Sequence, residues 1–173
     1  HRLVDVQASG ADFYVYSFYK TFGPHFAVLW GRRHLLLELP SLNHFFIGQD
    51  VVPYKLQPGN VNYELSFGCI GITDYLLDIS TRLGAQGSER KCMQAAFDAF
   101  EVQEDLLAER LLAFLRQRDG VRIIGKAHTR NRVPTISFVV EDVQSEALVR
   151  RVDEHLIGIR FGDFYARRLI EAL

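Results

Sequence analysis

The amino-acid sequence predicts an α/β protein built in two parts bridged by one long helix. Three observations predict it. Short aromatic and β-branched runs bounded by glycine and proline, Phe13–Tyr16 and His25–Trp30, read as buried strands. Residues 89–118 hold helical spacing without a break, with Gly120 as the stop, and would span about 45 Å at 1.5 Å per residue. Beyond that helix the order is β-β-α-β-α, the pattern of a small α+β sandwich. The boundary falls inside the long helix, near residues 100–118, and divides the chain into 1–100 and 101–173.

Each element follows from its residues. The two aromatic strands flank Ser17-Phe18-Tyr19-Lys20-Thr21-Phe22-Gly23-Pro24, a loop whose Gly-Pro marks a turn. Residues 32–60, with Pro40, Pro53, Pro58 and Gly59, read as a long connection with little regular structure, a kind of segment that is often functional. Residues 62–81 place Leu65, Cys69, Ile72, Leu76 and Ile79 at helical spacing, with Gly68 and Gly71 read as points of close packing. Ser88 is the expected N-cap of the long helix, with Phe100, Leu107, Leu111 and Phe114 as its core-facing stripe. Strands follow at Val121–Ile124 and Pro134–Val140, a helix capped by Asp142 at Val143–His155, a strand at Ile157–Phe161, and a last helix from Phe164.

Composition excludes several function classes. The chain has 173 residues, 20 Lys+Arg against 21 Asp+Glu, and a net charge of -1, which argues against a general nucleic-acid binder. A hydrophobic share of 48%, with 13 Phe and 7 Tyr, excludes a disordered chain. No apolar run approaches the ~20 residues of a membrane span. Two cysteines, Cys69 and Cys92, make no disulfide framework and suit a reducing, cytoplasmic setting. No signal or transit pattern is present. The opening His1-Arg2-Leu3 and the close at Leu173 inside a helical pattern read as part of a longer protein.

Several motifs have bland readings. Gly120-Val121-Arg122-Ile123-Ile124-Gly125-Lys126 spells a phosphate loop, but Ala127 replaces the Mg²⁺-binding hydroxyl and the interior reads as a strand. The six histidines show no paired metal spacing, so no metal is expected. His128-Thr129-Arg130-Asn131-Arg132 reads as a solvated basic loop, with binding of an anionic ligand as the alternative. Lys20 stands apart, because the chain has 20 Lys+Arg of which only Lys20, Lys55, Lys91 and Lys126 are lysines. A lysine ending a buried strand is partly desolvated, which frees its amine as a nucleophile toward aldehydes, pyridoxal phosphate (PLP) included. A surface lysine at a strand end is the other reading.

The segment from Asp12 to His25, Asp-Phe-Tyr-Val-Tyr-Ser-Phe-Tyr-Lys-Thr-Phe-Gly-Pro-His, resembles the PLP-lysine segment of class V aminotransferases, above all their cysteine-desulfurase-like branch. The resemblance continues at Pro58-Gly59-Asn60-Val61-Asn62-Tyr63-Glu64 and at Gly158-Ile159-Arg160-Phe161-Gly162-Asp163-Phe164-Tyr165-Ala166. It implies an aspartate-aminotransferase-like architecture (PLP fold type I). Residues 1–100 would be the last part of the large PLP-binding domain, and 101–173 the small C-terminal α+β domain, incomplete at its end. It further implies that Lys20 is the Schiff-base lysine and moves the substrate's α-proton, and that Ser17 and Tyr19 bond the cofactor phosphate. Tyr19 stands where many relatives carry a histidine. Asn60 stands where relatives often carry a threonine that reaches the partner subunit's phosphate, which implies a homodimer with shared sites. Arg160 is the candidate cation for an amino-acid substrate, with a strand-end salt bridge as its alternative.

Two departures shape the expectation. Sulfur-mobilising relatives carry a catalytic cysteine where this chain has Tyr165, so persulfide formation is not expected. The family's aspartate for the pyridine nitrogen would precede the first residue, and its arginine for the substrate carboxylate would follow Leu173. The competing reading is a cofactor-free α/β module that packs against a partner.

Overall fold

The computed structural model describes residues 2–57 and 59–172. His1, Leu173 and Pro58, the first residue of the second motif, lie outside the described residues. The chain forms two compact units, Arg2–Ala99 and a second from Phe100 onward.

In the first unit, β1 (Phe13–Ser17) and β2 (Ala27–Gly31) form an antiparallel hairpin with Phe13 opposite Gly31 and Ser17 opposite Ala27. The sequence reads these strands as buried, but Val15 is 70% and Leu29 53% exposed. A two-stranded ribbon has two faces, and among the described residues only one is covered. Gly31 permits the close approach of α1 (Arg33–Glu38), since a Cβ there would stand 2.9 Å from Leu36 Cδ2.

The connection expected to be irregular has order of its own. The Lys55 side chain is fully buried, and its ammonium donates to the carbonyls of Leu37 (2.9 Å), Leu39 (2.7 Å) and Gln49 (2.8 Å). Three acceptors around one nitrogen use every N–H bond of an ammonium group. The Asn43 amide closes the same loop by donating to the carbonyls of Tyr54 and Gln57, both at 2.6 Å. Loop backbone that lacks a ladder partner is thus satisfied by side chains.

The run expected as one helix is two, α2 (Tyr63–Gly68) and α3 (Ile70–Arg82), with Cys69 between them. Asn62 caps α2 by accepting from the Leu65 N–H at 2.8 Å. Ile72 and Leu76 of the expected stripe are buried. Gly71 is not a packing point among the described residues, because a Cβ there would meet nothing within 4 Å.

The long helix, α4 (Glu89–Arg116), starts after Ser88, whose hydroxyl accepts from the Lys91 N–H at 3.4 Å. Its covered stripe differs from the expected one. Ala96 and Phe97 are buried in the first unit and Ala108, Leu112 and Leu115 in the second, while Leu107 is 54% and Phe114 49% exposed. The helix carries two adjacent apolar stripes, and periodicity alone does not choose between them.

In the second unit β3 (Val121–Ile124) pairs antiparallel with β4 (Ser137–Val140), so the phosphate-loop spelling is committed to a sheet. The cations of the following loop hold their own backbone. Lys126 Nζ donates to the Asn131 carbonyl at 2.9 Å, and Arg132 donates to the carbonyls of Lys126 and Thr135. The next helix, α5, is Ser145–Asp153, with Gln144 at its cap. Asp142, expected as that cap, has φ 56° and turns the chain instead. Ile157–Phe161 is not a strand, since among the described residues it joins neither the β3–β4 sheet nor any other ladder. An extended run becomes a strand only where another backbone offers a ladder. The last helix is the single turn α6 (Arg167–Ile170). Among the described residues no helix is long and apolar enough to cross a membrane.

Candidate active site

The site is built where β1 ends. Ser17 holds the last rung of the hairpin, and the chain then tightens into a 3₁₀ turn over Phe18–Lys20. Ser17 stands at the cap of that turn in an extended conformation, yet its side chain makes no capping hydrogen bond. Its hydroxyl makes no other hydrogen bond among the described residues.

Backbone bonds close the loop that follows. The Phe18 N–H donates to Phe26 O at 2.8 Å, and the N–H groups of Thr21 and Gly23 both donate to Phe18 O, at 2.8 and 3.0 Å. Phe22 takes φ 63° to complete the reversal. The side of the loop near Gly23 packs on α3, where the Phe22 and Tyr75 rings lie 4.9 Å apart.

This turn leaves Tyr19 and Lys20 exposed. The sequence expects a partly desolvated lysine, and the structure corrects that. β1 is not a buried strand here, so its end is not a dry one. Lys20 Nζ sits 5.6 Å from the Tyr19 ring centroid and makes no hydrogen bond or ion pair among the described residues. Tyr19 in turn stacks on His25, with centroids 4.9 Å apart and planes 13° from parallel.

The donor set fits a phosphorylated aldehyde. Lys20 supplies an amine with no acid partner, while Ser17 and Tyr19 supply hydroxyls that suit phosphate oxygens. All three stand within four residues on one hairpin end. A hollow of about 450 Å³ in the first unit is lined by Trp30, Arg32, Arg33 and His34 among others, and includes none of the three. An open donor cluster with this chemistry outweighs a hollow that lacks it.

The other expected residues stand apart. Asn60 is exposed in the segment before α2, and no hydrogen bond or ring contact joins it to Ser17, Tyr19 or Lys20. Arg160 belongs to the second unit, with its guanidinium carbon 5.7 Å from the Phe164 ring centroid. It makes no ion pair among the described residues, which removes the strand-end salt bridge along with the strand. Tyr165 is fully exposed and follows Phe164 in the left-handed region, at φ 67° and 48°. Its N–H donates to the Asp163 carboxylate at 3.1 Å.

His25 is the neighbour that sequence reasoning missed. A signal was present. Carrying the hairpin register past the Phe18–Phe26 rung puts Tyr19 opposite His25, a pairing hidden while residues 17–24 are read as one loop.

Comparison with known proteins adds an independent line. The family model "Aminotransferase class-V" matches residues 83–172, outside the Lys20 segment. An aminotransferase-like protein of Gibberella zeae, FGM3, is 34% identical over the whole chain, which covers 40% of that relative. A cysteine desulfurase-like protein of Aspergillus flavus, ustD, is 31% identical over 88% of the chain and 32% of its own length. A probable cysteine desulfurase of Xylella fastidiosa is 28% identical over 99% of the chain and 39% of its own length. The chain thus spans two fifths or less of the length of these relatives.

Proposed function

This chain belongs to the class V aminotransferases, and from that premise we propose that it is the part of a PLP-dependent amino-acid enzyme that carries the cofactor lysine, Lys20. The observation that carries the reading is the cluster of Ser17, Tyr19 and Lys20 at one hairpin end, whose polar side-chain atoms make no hydrogen bond or ion pair among the described residues. Class V aminotransferases and cysteine desulfurases are in general PLP-dependent enzymes.

When bound, PLP supplies an electron sink for charge developing at the substrate's α-carbon. The rest is work for this chain's residues. Lys20 would hold the cofactor through its amine, and its amine, when free, would carry the substrate's α-proton. Ser17 and Tyr19 donate to the phosphate and fix the cofactor against Lys20. Arg160 serves as a cation toward the substrate carboxylate. Asn60 reaches the phosphate bound by a second subunit, in a homodimer with shared sites. Residues 1–100 form the end of the large domain and 101–173 the small domain of the aspartate-aminotransferase-like fold.

With Tyr165 in place of the catalytic cysteine, the reaction proposed is transamination, elimination or epimerisation rather than persulfide formation. A phenol has no sulfur with which to accept the substrate's sulfur as a persulfide.

The test uses the complete protein that contains this chain. Borohydride reduction followed by peptide mass analysis should fix the cofactor on the peptide holding Lys20. A label on another lysine, or none, would refute the reading.

A further inference from the structure

The proposal that follows rests on the reading of Lys20 and Tyr19 given above. We propose that His25 is a positioning residue, which holds the Tyr19 ring in the orientation its phosphate contact needs.

Three observations carry it. The Tyr19 and His25 rings are stacked at 4.9 Å and 13°. The stack continues the hairpin by one rung beyond Phe18–Phe26, whose rings also lie near parallel at 10° and 6.2 Å. Both residues are exposed, and Tyr19 has no other ring partner among the described residues.

An exposed tyrosine at a turn samples several side-chain rotamers. A phosphate contact from such a ring pays for its ordering unless a neighbour has already ordered it. The imidazole face does that ordering here. The turn that delivers it is itself held, by Gly23 against α3 and by Phe18 O, which accepts from two N–H groups. His25 thus acts through Tyr19 and needs no contact of its own with the cofactor.

The test is cofactor binding to the complete protein, measured with PLP and with pyridoxal, which lacks the phosphate. His25→Ala should weaken PLP binding about two- to tenfold, the range of an aromatic pair, and leave pyridoxal binding unchanged. His25→Phe, which keeps a ring, should restore PLP binding. In a Tyr19→Phe background, His25→Ala should have no further effect. If His25→Ala does not fold, His25→Gln takes its place.

An equal loss for PLP and pyridoxal would overturn the inference, as would unchanged PLP binding. Failure of His25→Phe to restore binding would also overturn it, by showing that the imidazole itself makes the contact. The borohydride label separates this from the parent reading. With the label on Lys20, any of these outcomes sinks the role of His25 alone. Without it, both fall.

Discussion

Ile72 Cδ1 lies 2.6 Å from where a Cβ on Gly23 would stand, and the Cβ and carbonyl oxygen of Phe18 lie 2.9 and 3.0 Å from the same point. Two of these neighbours belong to the 3₁₀ turn that presents Tyr19 and Lys20. Gly23 therefore lets α3 and that turn meet. Gly23→Ala should destabilise the fold by about 1–3 kcal/mol, the cost of overpacking. Adding Ile72→Val, which removes Cδ1, should recover part of that loss. Urea unfolding of the single and double variants checks both.

Lys55 gives a second prediction. Lys55→Met should leave the Leu37, Leu39 and Gln49 carbonyls without their donor. Carbonyls left without a donor cost up to about 1–3 kcal/mol each where water does not replace it, so a loss of about 1–3 kcal/mol is expected from these part-buried bonds. Lys55→Arg should not rescue it, because a planar fork cannot replace one nitrogen that meets three carbonyls. Hydrogen exchange should rise at Leu42 and Lys55, whose N–H groups bond within this loop. Unchanged exchange there would contradict the role given to Lys55.

At the proposed active site, Lys20→Ala should abolish turnover in the complete enzyme, since it removes both the attachment point and the proton carrier. Ser17→Ala should mainly weaken cofactor affinity, by about 1–3 kcal/mol for one hydrogen bond to phosphate. Titration of each variant with PLP, beside steady-state rates, separates the two effects. Near-normal turnover by Lys20→Ala would refute the assignment.

Sulfur chemistry can be tested directly. Fed with cysteine, the complete enzyme should not release alanine through a protein persulfide on Cys69 or Cys92. Intact mass before and after reduction reads the gain of one sulfur. A reducible sulfur adduct that forms and turns over at the rate of alanine release would overturn the reading of Tyr165.

Asp5 supplies a pH prediction. Its carboxylate accepts from the N–H groups of Ala8 and Gln7, both at 3.0 Å, and the Ala8 bond is the main cause holding its pKa below the ordinary carboxylate value. A depressed folded pKa means that the turn over residues 5–10 is supported above the unfolded value and loses that support as pH falls through the folded one. The Asp5 carboxyl carbon, followed by NMR, should titrate below a model aspartate, and Ala8→Pro should move its midpoint upward.

The long helix and the four strands that pair in the structure were legible in the sequence because periodicity and turn residues are local properties. The covered stripe of α4 was not, since Leu107 and Leu112 are both good core residues and only packing selects between them. Ile157–Phe161 has strand-like residues without a strand, because pairing is a property of two segments.

The candidate site divides in the same way. The sequence by itself marked Ser17, Tyr19 and Lys20 as candidates, through the resemblance of their segment to the PLP-lysine segment of class V aminotransferases. The same resemblance sets Tyr165 at the position where sulfur-mobilising relatives carry a cysteine. Only the tertiary structure decided that Lys20 is exposed, that His25 faces Tyr19, and that Lys55 orders a loop which reads as irregular. Exposure, stacking and a three-carbonyl shell each depend on where distant backbone passes, and no short window of residues specifies that.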